Sequence, residues 1–174
     1  QVVYKNPWSS VIKNFVVRNN AEKEIYTTDF GKRSAVILHN DRNLLLVKQY
    51  RLLIDDYSWE IPGGKVEDTE TYEEAAIREC KEETGFTCDS LEEISFFHPG
   101  LETLHNPTKI FYCNRFKEQK FVNNHETELV KWFPEEEIEK LLITNFFLDS
   151  LTLIGLMSFI QKKKFLNSSQ EKLY

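Results

Sequence analysis

The sequence predicts an α/β fold, in which short strands are mixed with a few helices and preceded by an N-terminal antiparallel β-strand extension. Three observations predict it. Short runs rich in β-branched and aromatic residues, such as Ser34 to His39 and Asn43 to Gln49, recur between turn signals. A stretch with helical start and stop signals, Thr71 to Gly85, interrupts those runs. Further helical signals follow the last strand, from Pro134 onward. With 174 residues and 41% apolar content, the chain is long enough to bury one sizeable core. No internal repeat or Pro/Gly-rich linker divides it. Residues 1–30 are expected to form the extension and residues 31–174 the main domain.

Each element has a local reason. Trp8 to Val17 and Glu24 to Phe30 have strand composition, with a turn at Asn19-Asn20. Asn40-Asp41-Arg42 is the hairpin connection between the strands at Ser34 to His39 and Asn43 to Gln49. Trp59-Glu60-Ile61 is a short strand that runs into Pro62-Gly63-Gly64, where the glycines permit a tight turn or a close backbone approach. Thr71 followed by Glu74 is a capping box, and Gly85 is a natural helix stop. Ala76, Ile77 and Cys80 form the apolar stripe of that helix. Strands are expected near Glu92 to His98, Lys109 to Phe116 and Leu129 to Trp132. Pro134-Glu135-Glu136-Glu137 opens a short helix with acids at the positive end of its dipole. A last helix is expected at about Asn145 to Lys163, with a stripe of Phe147, Leu151, Ile154 and Met157-Ser158.

Residues 64–86 carry the chemistry. Glu79, Glu82 and Glu83 fall at i, i+3 and i+4, which gathers three carboxylates on neighbouring positions of one helix face. Such crowding is repulsive unless a hard divalent cation neutralises it, and an oxygen-rich cluster suits Mg²⁺ or Mn²⁺. Arg78 and Glu82 are i, i+4 partners, a pair suited to steering the carboxylate, and Glu70 lies in the loop before the cap.

The spacing G-x5-E-x7-R-E-U-x-E-E-x-G-U, with U apolar, is filled at each fixed position by Gly64, Glu70, Arg78, Glu79, Glu82, Glu83 and Gly85. In this the chain resembles the Nudix hydrolases. Cys80 stands at the first U and serves there as a small hydrophobe. The resemblance implies an α/β/α sandwich with a mixed β-sheet, and Mg²⁺-dependent hydrolysis of the pyrophosphate bond of a nucleoside diphosphate linked to another group. Gly64, Glu79, Glu82 and Glu83 are the implied metal-binding residues, with Arg78 and Glu82 among the catalytic ones. Water is the expected nucleophile.

Val47 to Arg51 followed by Trp59 to Gly64 resembles the ADP-ribose pyrophosphatase and nucleotide-sugar branch. There Arg51, Trp59, Glu60, Gly63 and Gly100 are implied to bind substrate, Arg51 through its planar donor fork. His98-Pro99-Gly100 matches that branch's Pro-Gly turn, but Leu101 to Pro107 departs from it, so other nucleotide sugars stay open. A dinucleoside polyphosphate or nucleoside triphosphate hydrolase is the alternative enzyme, and a non-catalytic nucleotide sensor is a further one. Asn124 to Trp132 matches the loop that supplies a general base in related enzymes, and Glu126 and Glu128 are the two candidates. By the same resemblance the extension exchanges between subunits of a homodimer.

A net charge of −6 argues against long nucleic acid as a partner and leaves a small phosphorylated substrate. The most apolar stretch, Leu148 to Ile160, is interrupted by Asp149, Ser150 and Thr152, so no membrane span is expected. The opening QVVYKNPW lacks a basic-then-apolar pattern, so no signal peptide is expected. Cys80, Cys88 and Cys113 show neither metal spacing nor a paired framework, which argues for a cytoplasmic setting.

Overall fold

The computed structural model describes residues 1–119 and 126–171. In chain order the first elements are β1 (Val2–Lys5), β2 (Ser10–Arg18), β3 (Ala21–Asp29), β4 (Arg33–Asn40), β5 (Asn43–Arg51), β6 (Asp56–Glu60) and β7 (Gly63–Lys65). Then come α1 (Tyr72–Thr84), β8 (Phe86–Cys88), β9 (Glu92–Phe97), β10 (Leu104–His105), β11 (Thr108–Cys113) and β12 (Phe116–Glu118). The last are β13 (Thr127–Pro134), α2 (Glu135–Ile143) and α3 (Ser150–Glu171).

The main sheet runs β13-β5-β4-β11-β9, with β6 paired to β5 and β7 to β4. β11 lies parallel to β4 and the other pairings are antiparallel, so the sheet is mixed. Its central strands β4, β5 and β11 are largely buried on both faces, and period-2 alternation sorts their side chains into two cores. Ala35 and Ile37 of β4 join Leu44, Leu46, Ile110, Phe133, Leu151 and Leu156 on the α2/α3 side. Val36 and Leu38 join Leu45, Ala76, Cys80, Phe111 and Cys113 on the α1 side. The result is the expected α/β/α sandwich.

β4 and β5 pair only near their hairpin, at His39↔Leu44 and Asn40↔Asn43. Beyond that they splay, because β4 takes β7 as its partner and β5 takes β6. The connecting Ile61-Pro62 passes between them, and Pro62 O accepts the Val36 N–H at 3.0 Å. This parting of the strands opens the sheet beneath α1.

Several boundaries differ from the sequence expectation. The last helix begins at Ser150 rather than Asn145. Asn145 has φ of 55°, and Asp149 caps the helix by accepting from the Thr152 N–H and hydroxyl, each at 2.8 Å. Its buried face also differs: Leu151, Leu156 and Phe159 point inward and Met157 is exposed. The strand expected from Lys109 to Phe116 is two strands, β11 and β12, the second paired with β8 outside the main sheet. The extension behaves as a hairpin, with Asn19 and Asn20 at φ of 53° and 60° in its two-residue turn. β1, β2, β3 and β10 form a separate four-stranded sheet. The three cysteines, scattered in sequence, are free and buried, with Cys88 Sγ 3.9 Å from Cys80 Sγ.

Candidate active site

The site is built on α1, and the sequence dictates that helix locally. Thr71 accepts the Glu74 N–H at 3.1 Å, and Glu74 returns the bond to the Thr71 N–H at 2.8 Å. Gly85, at φ of 77°, closes the other end by donating its N–H to Lys81 O. Ala75, Ala76 and Cys80 bury one face of α1 against the sheet. Glu79 and Glu83 therefore point toward the splayed strands, and Glu82 stays at the rim.

Arg78 organises the rim. Its Nε donates to Glu70 Oε1 at 2.7 Å and its Nη2 to Glu70 Oε2 at 3.0 Å, a bidentate pair. Nη1 donates to Glu79 Oε1 at 2.8 Å and to Glu82 Oε2 at 3.2 Å, and Nη2 also donates to Lys65 O at 2.9 Å. The Glu82 contact is the i, i+4 pair expected from sequence, yet Glu70 is the stronger partner. These carboxylates, Glu70 first, hold the Arg78 pKa well above its ordinary value.

Glu83 is buried at 5% exposure, with Gly63 N–H donating to its Oε2 at 2.9 Å and the Gln49 amide donating to its Oε1. Burial pushes the Glu83 carboxyl up to about 7, against the two hydrogen bonds and with help from the nearby Glu79 charge. Burial likewise raises Glu79, opposed by Arg78 and reinforced by Glu82 and Glu126. Glu126 therefore lies within electrostatic reach of the cluster.

The glycines are required by close approach. A Cβ on Gly64 would lie 2.3 Å from Glu79 Oε1, and one on Gly63 would lie 2.5 Å from both Ala35 Cβ and Ser34 O. Next to them, Arg51 forks onto Glu60, with Nε at 2.8 Å and Nη2 at 2.5 Å, and Nη2 also reaches Gln49 Oε1 at 2.5 Å. Glu60 is 3% exposed, so its charge is compensated by this fork.

A hard divalent cation fits the donor chemistry of this cluster. The donors are oxygens, Gly64 leaves room beside the Glu79 carboxylate, and the half-buried Glu79 and buried Glu83 carboxylates crowd each other in a way such an ion relieves. Among the described residues no three such side chains converge closely enough to hold an ion as they stand. Arg78 occupies Glu79 and Glu82, so an ion would compete with it for them.

The structure thus brings together Gly63, Gly64, Arg78, Glu79, Glu82 and Glu83, with Arg51 and Glu60 adjoining. Trp59 is not with them. It lies on the opposite face of its strand from Glu60, packed edge-on against Phe133 at 4.9 Å on the α3 side. Glu128 is exposed beside a cavity lined by Thr84, Phe86 and Trp132. Gly100 lies in a groove of about 760 Å³ between the N-terminal hairpin and the loop from His98 to His105. His105 in that loop is engaged by Asp29 at 2.8 Å. Asn124 and His125, which open the expected base loop, lie outside the described residues. Gln49 lies in the Val47 to Arg51 stretch that carries the branch resemblance but is not among the site residues expected from it; its signal is a polar residue at an inward position of the apolar strand LLLVKQ.

The chain is similar to known proteins over much of its length. The NUDIX domain profile matches residues 30–151. A CMP-5'-(N-acetyl-N-hydroxy-3-aminopropyl)phosphonate hydrolase of Streptomyces rubellomurinus is 27% identical over 132 residues, covering 74% of this chain and 63% of that protein. An ADP-ribose pyrophosphatase of Bacillus subtilis is 36% identical over 73 residues, covering 41% of this chain and 40% of that one. The chain thus spans less than two thirds of the length of either relative. A crystal structure of an ADP compounds hydrolase has a TM-score of 0.79 at 19% identity, covering 95% of this chain and 92% of that one, a likeness of fold. With the profile spanning most of the chain and each fixed motif position placed on or around α1, the chain belongs to the Nudix family.

Proposed function

We propose that the protein hydrolyses the pyrophosphate bond of a nucleoside diphosphate derivative, ADP-ribose or a nucleotide sugar, with Mg²⁺ or Mn²⁺, and releases a nucleoside monophosphate. The observation that carries this reading is the α1 cluster, in which Arg78 gathers Glu70, Glu79 and Glu82 beside the buried Glu83. The similarity to an ADP-ribose pyrophosphatase supports the substrate class.

Glu79, Glu83, Glu82 and the Gly64 backbone would hold the metal, which supplies a water of lowered pKa and neutralises charge developing at phosphorus. Arg78 fixes the orientation of Glu79 and Glu82 before substrate arrives. Gly63 holds Glu83 from the other side. Arg51, clamped by Glu60, presents its remaining donors toward a substrate phosphate. Positioning and electrostatics provide most of the acceleration, since little covalent work falls to the protein. Glu126 takes the proton of the attacking water: it lies within electrostatic reach of Glu79, whereas Glu128 sits by the Thr84–Phe86 cavity.

The protein acts in the cytoplasm as a homodimer in this reading, with residues 1–30 as the joining element. Exposed Val2, Tyr4, Trp8, Phe15 and Val17 in the N-terminal strands and their connection favour that role. The test is a panel of ADP-ribose, nucleotide sugars, dinucleoside polyphosphates and nucleoside triphosphates with Mg²⁺, with products read by mass spectrometry. Nucleoside monophosphate release from the diphosphate derivatives is expected, with turnover lowered about 100-fold in Glu79→Gln and Glu83→Gln. Turnover within a few-fold of wild type in either variant would refute the mechanism. Release of pyrophosphate from triphosphates alone would replace the substrate class.

A further inference from the structure

Four side chains form a continuous hydrogen-bonded line between two buried carboxylates of the site: Glu60, Arg51, Gln49 and Glu83. The order of donors and acceptors along it is fixed by chemistry. Arg51 can only donate and an ionised Glu83 can only accept. The Gln49 amide must therefore turn its oxygen to Arg51, at 2.5 Å, and its NH₂ to Glu83 Oε1. Gln49 is itself buried at 5% exposure, and the backbone N–H of Gly63 holds the other Glu83 oxygen at 2.9 Å. Both oxygens of Glu83 are thus held, and the plane of its carboxylate is set by partners from β5 and β7 rather than by its own helix.

We propose that Gln49 is a positioning residue that orients Glu83 for metal binding, and that Arg51 acts on the metal site through it as well as on substrate. This inference rests on the proposed metal-dependent hydrolysis and adds a coupling to it. The fork of Arg51 on Glu60 locks the guanidinium, the guanidinium locks the amide, and the amide locks the carboxylate. A residue that only contacts substrate would leave metal affinity untouched when substrate is absent. A residue at the head of this line would not.

The experiment measures Mn²⁺ affinity without substrate, from the free-ion electron paramagnetic resonance signal. The proteins are wild type, Gln49→Met, Arg51→Lys, the double variant and Glu83→Gln. Arg51→Lys keeps the positive charge near Glu83 but loses the fork that reaches Glu60 and Gln49 together. Gln49→Met is expected to raise the dissociation constant about tenfold, the usual scale for a residue that orients a ligand. Arg51→Lys is expected to raise it by about threefold, and the double variant to match Gln49→Met alone because the two act in series. Unchanged affinity in Arg51→Lys, or effects that multiply in the double variant, would overturn the coupling. Unchanged affinity in folded Gln49→Met would overturn the positioning role. Should Gln49→Met fail to fold, as judged by thermal unfolding, Arg51→Lys carries the test, since its side chain is 43% exposed. Wild type and Glu83→Gln binding Mn²⁺ equally would sink the proposed function itself, a result distinct from the others.

Discussion

Gly63 and Gly64 are adjacent, yet the residue scale separates their roles. A methyl on Gly64 meets the Glu79 carboxylate at 2.3 to 2.8 Å, a side-chain end that can swing away. A methyl on Gly63 meets Ser34 O at 2.5 Å and Ala35 Cα at 2.6 Å, which are backbone atoms of β4 that cannot. Gly64→Ala is therefore expected to keep its melting temperature and lose metal affinity by about tenfold or more, measured by Mn²⁺ titration. Gly63→Ala is expected to lose stability, by about 1–3 kcal/mol in denaturant unfolding, because the sheet must part. Glu83 carries a pH signature of its own. Its folded carboxyl sits at about 7 against an ordinary 4.5, so the folded state binds the proton more tightly than the unfolded chain. The associated stability is fully present below pH about 4.5 and lost as pH rises through about 7, on the order of 3 kcal/mol in all. Urea unfolding of metal-free protein should show this decline, and Glu83→Gln should flatten it. A decline of equal size in the variant would assign it to other groups.

At the scale of elements, α1 is a capped module whose ends are written in its own sequence. Thr71→Ala removes the side-chain partner of the Glu74 N–H and is expected to cost about 1 kcal/mol, read from denaturant midpoints. α3 is tied to the site differently. Thr152 Oγ1 accepts the N–H of Ile61 at 3.1 Å, across 91 positions of sequence, and is itself held by Asp149. That bond satisfies a buried donor where the chain passes between the parted strands. Thr152→Val leaves the donor without its partner, and a loss of about 1–3 kcal/mol is expected in the same unfolding assay. An unchanged midpoint would mean that the segment finds another acceptor.

At the scale of the whole molecule, the main sheet and the N-terminal sheet are separate. The mixed sheet and its flanking helices hold the α1 cluster, while β1, β2, β3 and β10 stand as a separate sheet beside a groove of about 760 Å³. Under the proposed dimer, removing residues 1–30 should yield a monomer by light scattering, with the main domain still cooperative in thermal unfolding. A truncated protein that is still a dimer, or a full chain that is already monomeric, would refute the joining role.

The sequence by itself determined what depends on short spacing. The i, i+3, i+4 carboxylates, the Thr71–Glu74 capping box and the Gly85 stop lie within one helix, where periodicity fixes neighbours. The β2–β3 turn at Asn19-Asn20 was legible for the same reason. Tertiary structure alone decided which distant residues meet. It put Glu70 rather than Glu82 as the main partner of Arg78, through a loop that folds back over the helix. It placed Gln49 between Arg51 and Glu83, 34 positions apart from the latter, because the folded sheet brings the end of β5 within hydrogen-bond reach of α1. The pleat alone says that Trp59 and Glu60 point apart, and tertiary structure decided which faces the site: Glu60 meets Arg51 while Trp59 packs on Phe133. Spacing along a helix is a local quantity that a sequence can carry. The partner across a sheet depends on how strands pair and part, and that is set only when the chain closes its core.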